Sequence, residues 1–158
     1  MISGQPLRTE FRHVRTFEGT TVVDRPIDEV FQFLAVGVND PKFSPRVQKI
    51  VQKTPGPPGV GTVFASTVKD AGMTTEREFE ITEFDAPRRI RWAERSKNVV
   101  TAVEGGYDLE STGNGTKLTI FNVLEGHGIG KLVAPLALRA ARKDAPAFAL
   151  RIKSAIEA

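Results

Sequence analysis

Apolar and polar residues alternate with a period of two along most of this chain, and the spacing turns helical in only a few places. Phe11 to Val23, rich in Phe, Val and Thr, reads as a long first strand. Asp24-Arg25-Pro26 then breaks the alternation. Pro26 suits the first position of a helix, and Asp28 and Glu29 suit the positive end of its dipole. Val30, Phe31, Phe33 and Leu34 give that helix an apolar face. Asn39-Asp40-Pro41 starts a second short helix or turn, anchored by Phe43 and closed by Pro45.

Six further strands follow at short intervals. They are Val47 to Lys53, Thr62 to Lys69, Thr74 to Phe84, Arg88 to Arg95, Val99 to Glu110 and Thr116 to Leu124. The breaks between them are rich in Gly, Pro, Asn and Asp: the Pro/Gly loop after Thr54, Asp70-Ala71-Gly72, Asp85-Ala86-Pro87 and Ser111 to Gly115. Consecutive short strands with tight turns imply an antiparallel meander. If those turns set the register, one inward row is Ile81, Trp92, Val103 and Asn122. The next is Phe79, Glu94, Thr101 and Leu124, with Arg77 diagonal to Glu94.

The last thirty residues, Ile129 to Ala158, form the only segment long enough for a dominant helix. Two apolar stripes run along it. The first is Ile129, Leu132, Val133, Leu136 and Ala140; the second is Ala141, Ala145, Phe148, Ile152 and Ile156. At about 100° per residue the two are offset by about 100°. Pro146 falls near the changeover, so a bend is expected at residues 142–146, with a short separate turn before Pro135. The first half is expected to line a cavity and the second to close its floor.

Composition narrows the chemistry. A chain of 158 residues suits one domain, 1–158, with residues 1–9 as a loose tail. There is no cysteine, which rules out disulfides and thiolate metal sites, and the two histidines, His13 and His127, are too few for a His-rich centre. No metal or cofactor is expected. No apolar run reaches about 18 residues, so no integral membrane association is expected. The N-terminus lacks the apolar core of a signal peptide, which makes the cytoplasm the default location. The formal charge of +3 is mild, and the densest basic string, Arg139 to Lys143, reads as a solvated helix face rather than a nucleic-acid footprint.

The order strand, two short helices, six strands, long helix resembles the START-like superfamily, also called SRPBCC or Bet v 1-like. Several strings carry the resemblance. Val23-Asp-Arg-Pro-Ile-Asp-Glu-Val-Phe31 looks like its strand-to-helix passage, and Asn39-Asp-Pro-Lys-Phe-Ser-Pro45 like its short second helix. Phe43 stands where that family often has Trp. Gly113 to Thr119 looks like its sixth-to-seventh strand turn, and Leu150 to Glu157 like its final helix. The resemblance covers about Phe11 to Glu157 and is nearest to the bacterial polyketide cyclase/dehydrase-like and lipid-transport branch. It implies an α+β helix-grip fold: a seven-stranded antiparallel sheet wrapped around a long C-terminal helix, with two short helices between strands one and two. It also implies an apolar cavity between sheet and helix.

Phe43, Phe64, Val68, Phe79, Trp92, Val103, Leu132 and Leu136 supply an apolar lining for such a cavity. Three polar features interrupt the inward face. Arg77 and Glu94 present charge to a ligand, or pair at the sheet end near water. Asn122 bonds a ligand carbonyl, or is a satisfied core amide. Tyr107 donates its phenol to a ligand, or wedges an aromatic ring with its hydroxyl at the rim. His127, in a Gly-rich loop, is a general-base candidate or an exposed loop residue. Ser66 has no evident base. Two function classes follow: a binding module for a small hydrophobic or lipid-like molecule, and a cyclase or dehydratase that uses Arg77, Glu94, Tyr107 or Asn122. The enzyme requires those groups to converge on one point. On a third class, an interaction role through a sheet edge or as a homodimer, the sequence is silent.

Overall fold

Tight turns bring successive strands of this chain side by side. The structure is a computed structural model that describes residues 17–70 and 72–158. The tail, the start of the predicted first strand at residues 11–16 and Ala71 lie outside the described residues. In chain order the elements are β1 (Phe17–Val23), α1 (Ile27–Ala35), a 3-10 helix (Gly37–Lys42), β2 (Val47–Gln52), β3 (Val63–Asp70), β4 (Met73–Asp85), β5 (Arg89–Glu94), β6 (Val100–Thr112), β7 (Gly115–Gly126) and α2 (Gly130–Glu157). The β6–β7 hairpin closes on Thr112 and Gly115, with Gly113 at φ 55 as a two-residue hairpin loop requires.

The strands form one sheet in the order β1-β7-β6-β5-β4-β3-β2, with every neighbouring pair antiparallel. The meander from β2 to β7 is the one the sequence predicts, and β1 closes beside β7. The sheet curls into a half-barrel around α2, the helix-grip arrangement. α1 buries Val30, Phe31, Leu34 and Ala35, while Phe33 packs at its edge against Phe43 with ring centroids 6.2 Å apart. The fully buried Val23, Val30, Leu118, Ile120 and Ile152 join β1, α1, β7 and α2 in one core.

The register agrees with the expected rows on β4 and β5, where Phe79 faces Glu94 and Ile81 faces Trp92. It departs on β6. Gly105, not Val103, stands between Trp92 and Asn122, and Val103 falls at a bulge between Ala102 and Glu104. Ser111 to Gly115 reads as one loop, whereas β6 runs on to Thr112 and the chain turns on Gly113 and Asn114, which resets the pairing.

α2 corrects the two-stripe expectation. It runs unbroken through Pro135 and Pro146 and buries one ridge: Gly130, Ala134, Ala145, Ala149 and Ile152. Leu138, Ala141, Phe148 and Ile156 lie half-buried along the same ridge. Ile129, Leu132, Val133 and Leu136 face outward. The reason is clearance. A Cβ at Gly19 of β1 would collide with the Ala145 carbonyl, and one at Gly126 of β7 with that of Gly130. A helix this close to the sheet must turn small residues inward. Both prolines sit at exposed positions, where water reaches carbonyls that lose an intrahelical donor.

Candidate ligand-binding site

The centre of the concave face is built around a missing side chain. A Cβ on Gly105 would overlap both the Asn122 Oδ1 and the Trp92 Nε1, so β5 and β7 aim two polar atoms into the space above β6. The Asn122 Oδ1 is buried and has no hydrogen-bond partner among the described residues. One step along β6, Tyr107 is buried and meets Trp92 edge-on at 4.9 Å. Burial, and then the nearby Asp40 charge, raise its phenol well above the ordinary value, so it remains a protonated donor.

Asp40 completes this patch from the 3-10 helix. Burial of its carboxyl pushes the pKa from 3.8 up to about 7. Sequence reasoning missed it, because Asp before Pro at a turn reads as ordinary loop chemistry. It missed Gly105 as well; the pairing counted from the Gly113-Asn114 turn brings that glycine opposite Asn122.

Arg77 and Glu94 form a second polar cluster, farther along the sheet. Arg77 Nη1 donates to both Glu94 oxygens at 3.0 and 3.1 Å. The same carboxylate accepts from Ser96 Oγ at 2.7 Å, Asn98 Nδ2 at 2.7 Å and the Ala102 backbone N–H at 2.8 Å. Arg77 also donates to Thr75 Oγ1 and the Val100 carbonyl. The Glu94 side chain is fully buried, so the pair is an interior ion pair with a satisfied acceptor. Ser66, across the β3–β4 ladder from Arg77, is buried with its Oγ unpartnered among the described residues.

The four polar candidates therefore separate into two places. Glu94 and Ile90, the cross-strand partner of Tyr107, lie four residues apart on β5, about 13 Å along the strand. Phe64 is buried, while Val68, Phe79, Trp92 and Val103 are half-buried. Phe43 is buried in the common core, 5.9 Å from Phe148, and also lines a groove of about 550 Å³ with Pro41, Lys42, Leu150 and Arg151. Leu132 and Leu136 do not reach the concave face; they are 79% and 71% exposed. His127 is exposed, and its backbone N–H bonds the Val99 carbonyl. No group of three metal-ligating side chains lies together among the described residues.

Residues 14–157 match the family described as "Polyketide cyclase / dehydrase and lipid transport". No curated protein matches the chain. Among solved structures, a protein from Thermus thermophilus is similar at TM-score 0.73 and 14% identity, over 89% of this chain and 96% of that one. The Zhui aromatase/cyclase from a Streptomyces species is similar at TM-score 0.70 and 19% identity, over 89% and 92%. Ara h 8.0201 is similar at TM-score 0.65 and 19% identity, over 89% and 96%. At these identities the likeness concerns the fold.

Proposed function

Because this chain belongs to the polyketide cyclase/dehydrase and lipid-transport family, we propose that it binds a small, largely apolar molecule on the concave face between the sheet and α2. The observation that carries this reading is the Asn122 Oδ1, buried and unpartnered beside Trp92 and Gly105. A buried amide oxygen without a donor costs about 1–3 kcal/mol. A ligand hydroxyl or amide would remove that cost while Trp92, Phe79 and Val68 supply apolar contact. α2 supports the same reading, since it packs chiefly on β1 and β7 and leaves Val68, Phe79 and Trp92 on β3 to β5 half-buried.

A second reading is a cyclase- or dehydratase-type enzyme. It draws support from the aromatase/cyclase among the similar structures and from Asp40, whose pKa of about 7 suits proton transfer. The separation of Arg77 and Glu94 from Tyr107 weighs against it, as does a Glu94 carboxylate already occupied by four donor groups.

Titration with an apolar fluorescent probe, together with native mass spectrometry of the purified protein, tests the binding reading. Saturable binding at a defined stoichiometry is expected, with Trp92→Ala weakening it by about tenfold, or about 1.4 kcal/mol. Saturable binding that neither Trp92→Ala nor Asn122→Leu changes would sink the assignment to this face.

A further inference from the structure

The outward turn of the first half of α2 leaves four large aliphatic side chains in water. Ile129 is 70% exposed, Leu132 79%, Val133 47% and Leu136 71%. At about 100° per residue they fall within an arc of about 100° on one helix face. Val99, itself half exposed, lies beside the start of the helix, where Gly130 packs directly on its backbone carbonyl. Scattered exposed aliphatics are ordinary, but a contiguous set at the end of one element marks an interaction surface.

Along this stretch the helix itself carries charge of one sign. From residue 129 to 143 the chain carries Lys131, Arg139, Arg142 and Lys143 and no carboxylate. All four are exposed. Arg139 and Lys143 continue the apolar arc one to two turns on, while Lys131 and Arg142 lie about 80–100° round the helix from its near edge. The next acid, Asp144, is held by Arg151 at 2.8 Å. We propose that this half of α2 is a peripheral docking surface for an anionic lipid surface, with Ile129, Leu132, Val133 and Leu136 entering the headgroup boundary and the cations meeting phosphates. A segment with an aliphatic edge continued by cations and no acid has the pattern of an interfacial helix. A second copy of the chain is a poorer occupant, because a two-fold interface sets each patch against itself and brings like charges together.

Co-sedimentation with vesicles tests the surface. The full chain is expected to pellet with phosphatidylcholine vesicles containing one-third phosphatidylglycerol, to stay in solution with pure phosphatidylcholine, and to be released by raised salt. Leu132→Glu with Leu136→Glu is expected to weaken binding at least about tenfold, with the circular dichroism and thermal midpoint unchanged because both sites are exposed. Arg139→Glu with Lys143→Glu, which touches no core position, is expected to do the same. Absence of binding to the anionic vesicles, equal binding to neutral ones, or binding that survives both double variants overturns the proposal. So does a concentration-dependent dimer in sedimentation velocity that the leucine variant dissolves, which would assign the patch to a second copy.

Discussion

Gly105 stands opposite Asn122 in the β6–β7 ladder, and the Asn122 Oδ1 occupies the place where a side chain on residue 105 would be. The vacancy is therefore what holds the polar group in the interior. Gly105→Ala is expected to displace Asn122 and Trp92 together, at a cost of about 1–3 kcal/mol from overpacking. Trp92 is the only tryptophan in the chain, so its emission spectrum should shift along with the denaturation midpoint. A variant with unchanged emission and stability would show that the contact gives way freely.

Glu94 is the acceptor of a satisfied interior network, and its loss strands Arg77. Glu94→Ala is expected to destabilise the fold by about 3 kcal/mol, at the lower end for a broken interior pair because Arg77 keeps some contact with water. Urea denaturation measures it. Restoring much of that loss with the double change Glu94→Leu and Arg77→Met would identify the stranded charge as the cause.

Asp40 sets a pH dependence of definite sign. Its folded pKa, about 7, lies above the ordinary 3.8, so the folded state holds this proton more tightly than the unfolded chain does. The stability it contributes is full below about pH 4 and is lost as the pH rises to about 7. Other carboxylates act oppositely: the hydrogen bonds from Arg151 to Asp144 and from Lys153 to Glu157 lower those two pKa values. The difference between Asp40→Asn and the parent chain isolates the term. The variant's advantage in thermal midpoint should grow from about pH 4 to about pH 7 and then level off; a constant difference would place the carboxyl in water.

Gly19→Ala tests the close approach of α2 to β1. The added methyl meets the Ala145 carbonyl, which is backbone and has little room to give. A loss of about 2 kcal/mol is expected in urea, together with a change in the helical circular dichroism signal.

The strands and their partners were legible because a half-buried sheet writes its register in alternation and its turns in Gly, Asn and Pro. Ile81 with Trp92 and Phe79 with Glu94 followed from that alone. Val103 was misplaced because Ser111 to Gly115 reads as one loop, whereas both strands run on and the chain turns on Gly113 and Asn114 alone. Leu132 and Leu136 were misplaced for a different reason. Large apolar residues were assumed to face inward, whereas clearance over Gly19 and Gly126 admits only Gly and Ala there. Asp40 was invisible because its role comes from tertiary burial, which a turn motif does not encode.

The single ridge of α2 is unevenly weighted along its length. Its first turns bury Gly130 and Ala134, while its last turns bury Ile152 and hold Phe148 and Ile156 partly covered. Small residues exclude little water, so the two ends of one continuous helix differ in how often they open. Amide hydrogen exchange should be fast over residues 131–138 and slow over residues 148–156. The helix then has a fixed end and a loose end, and for the proposed ligand the loose end is expected to set the timescale of entry to and exit from the concave face.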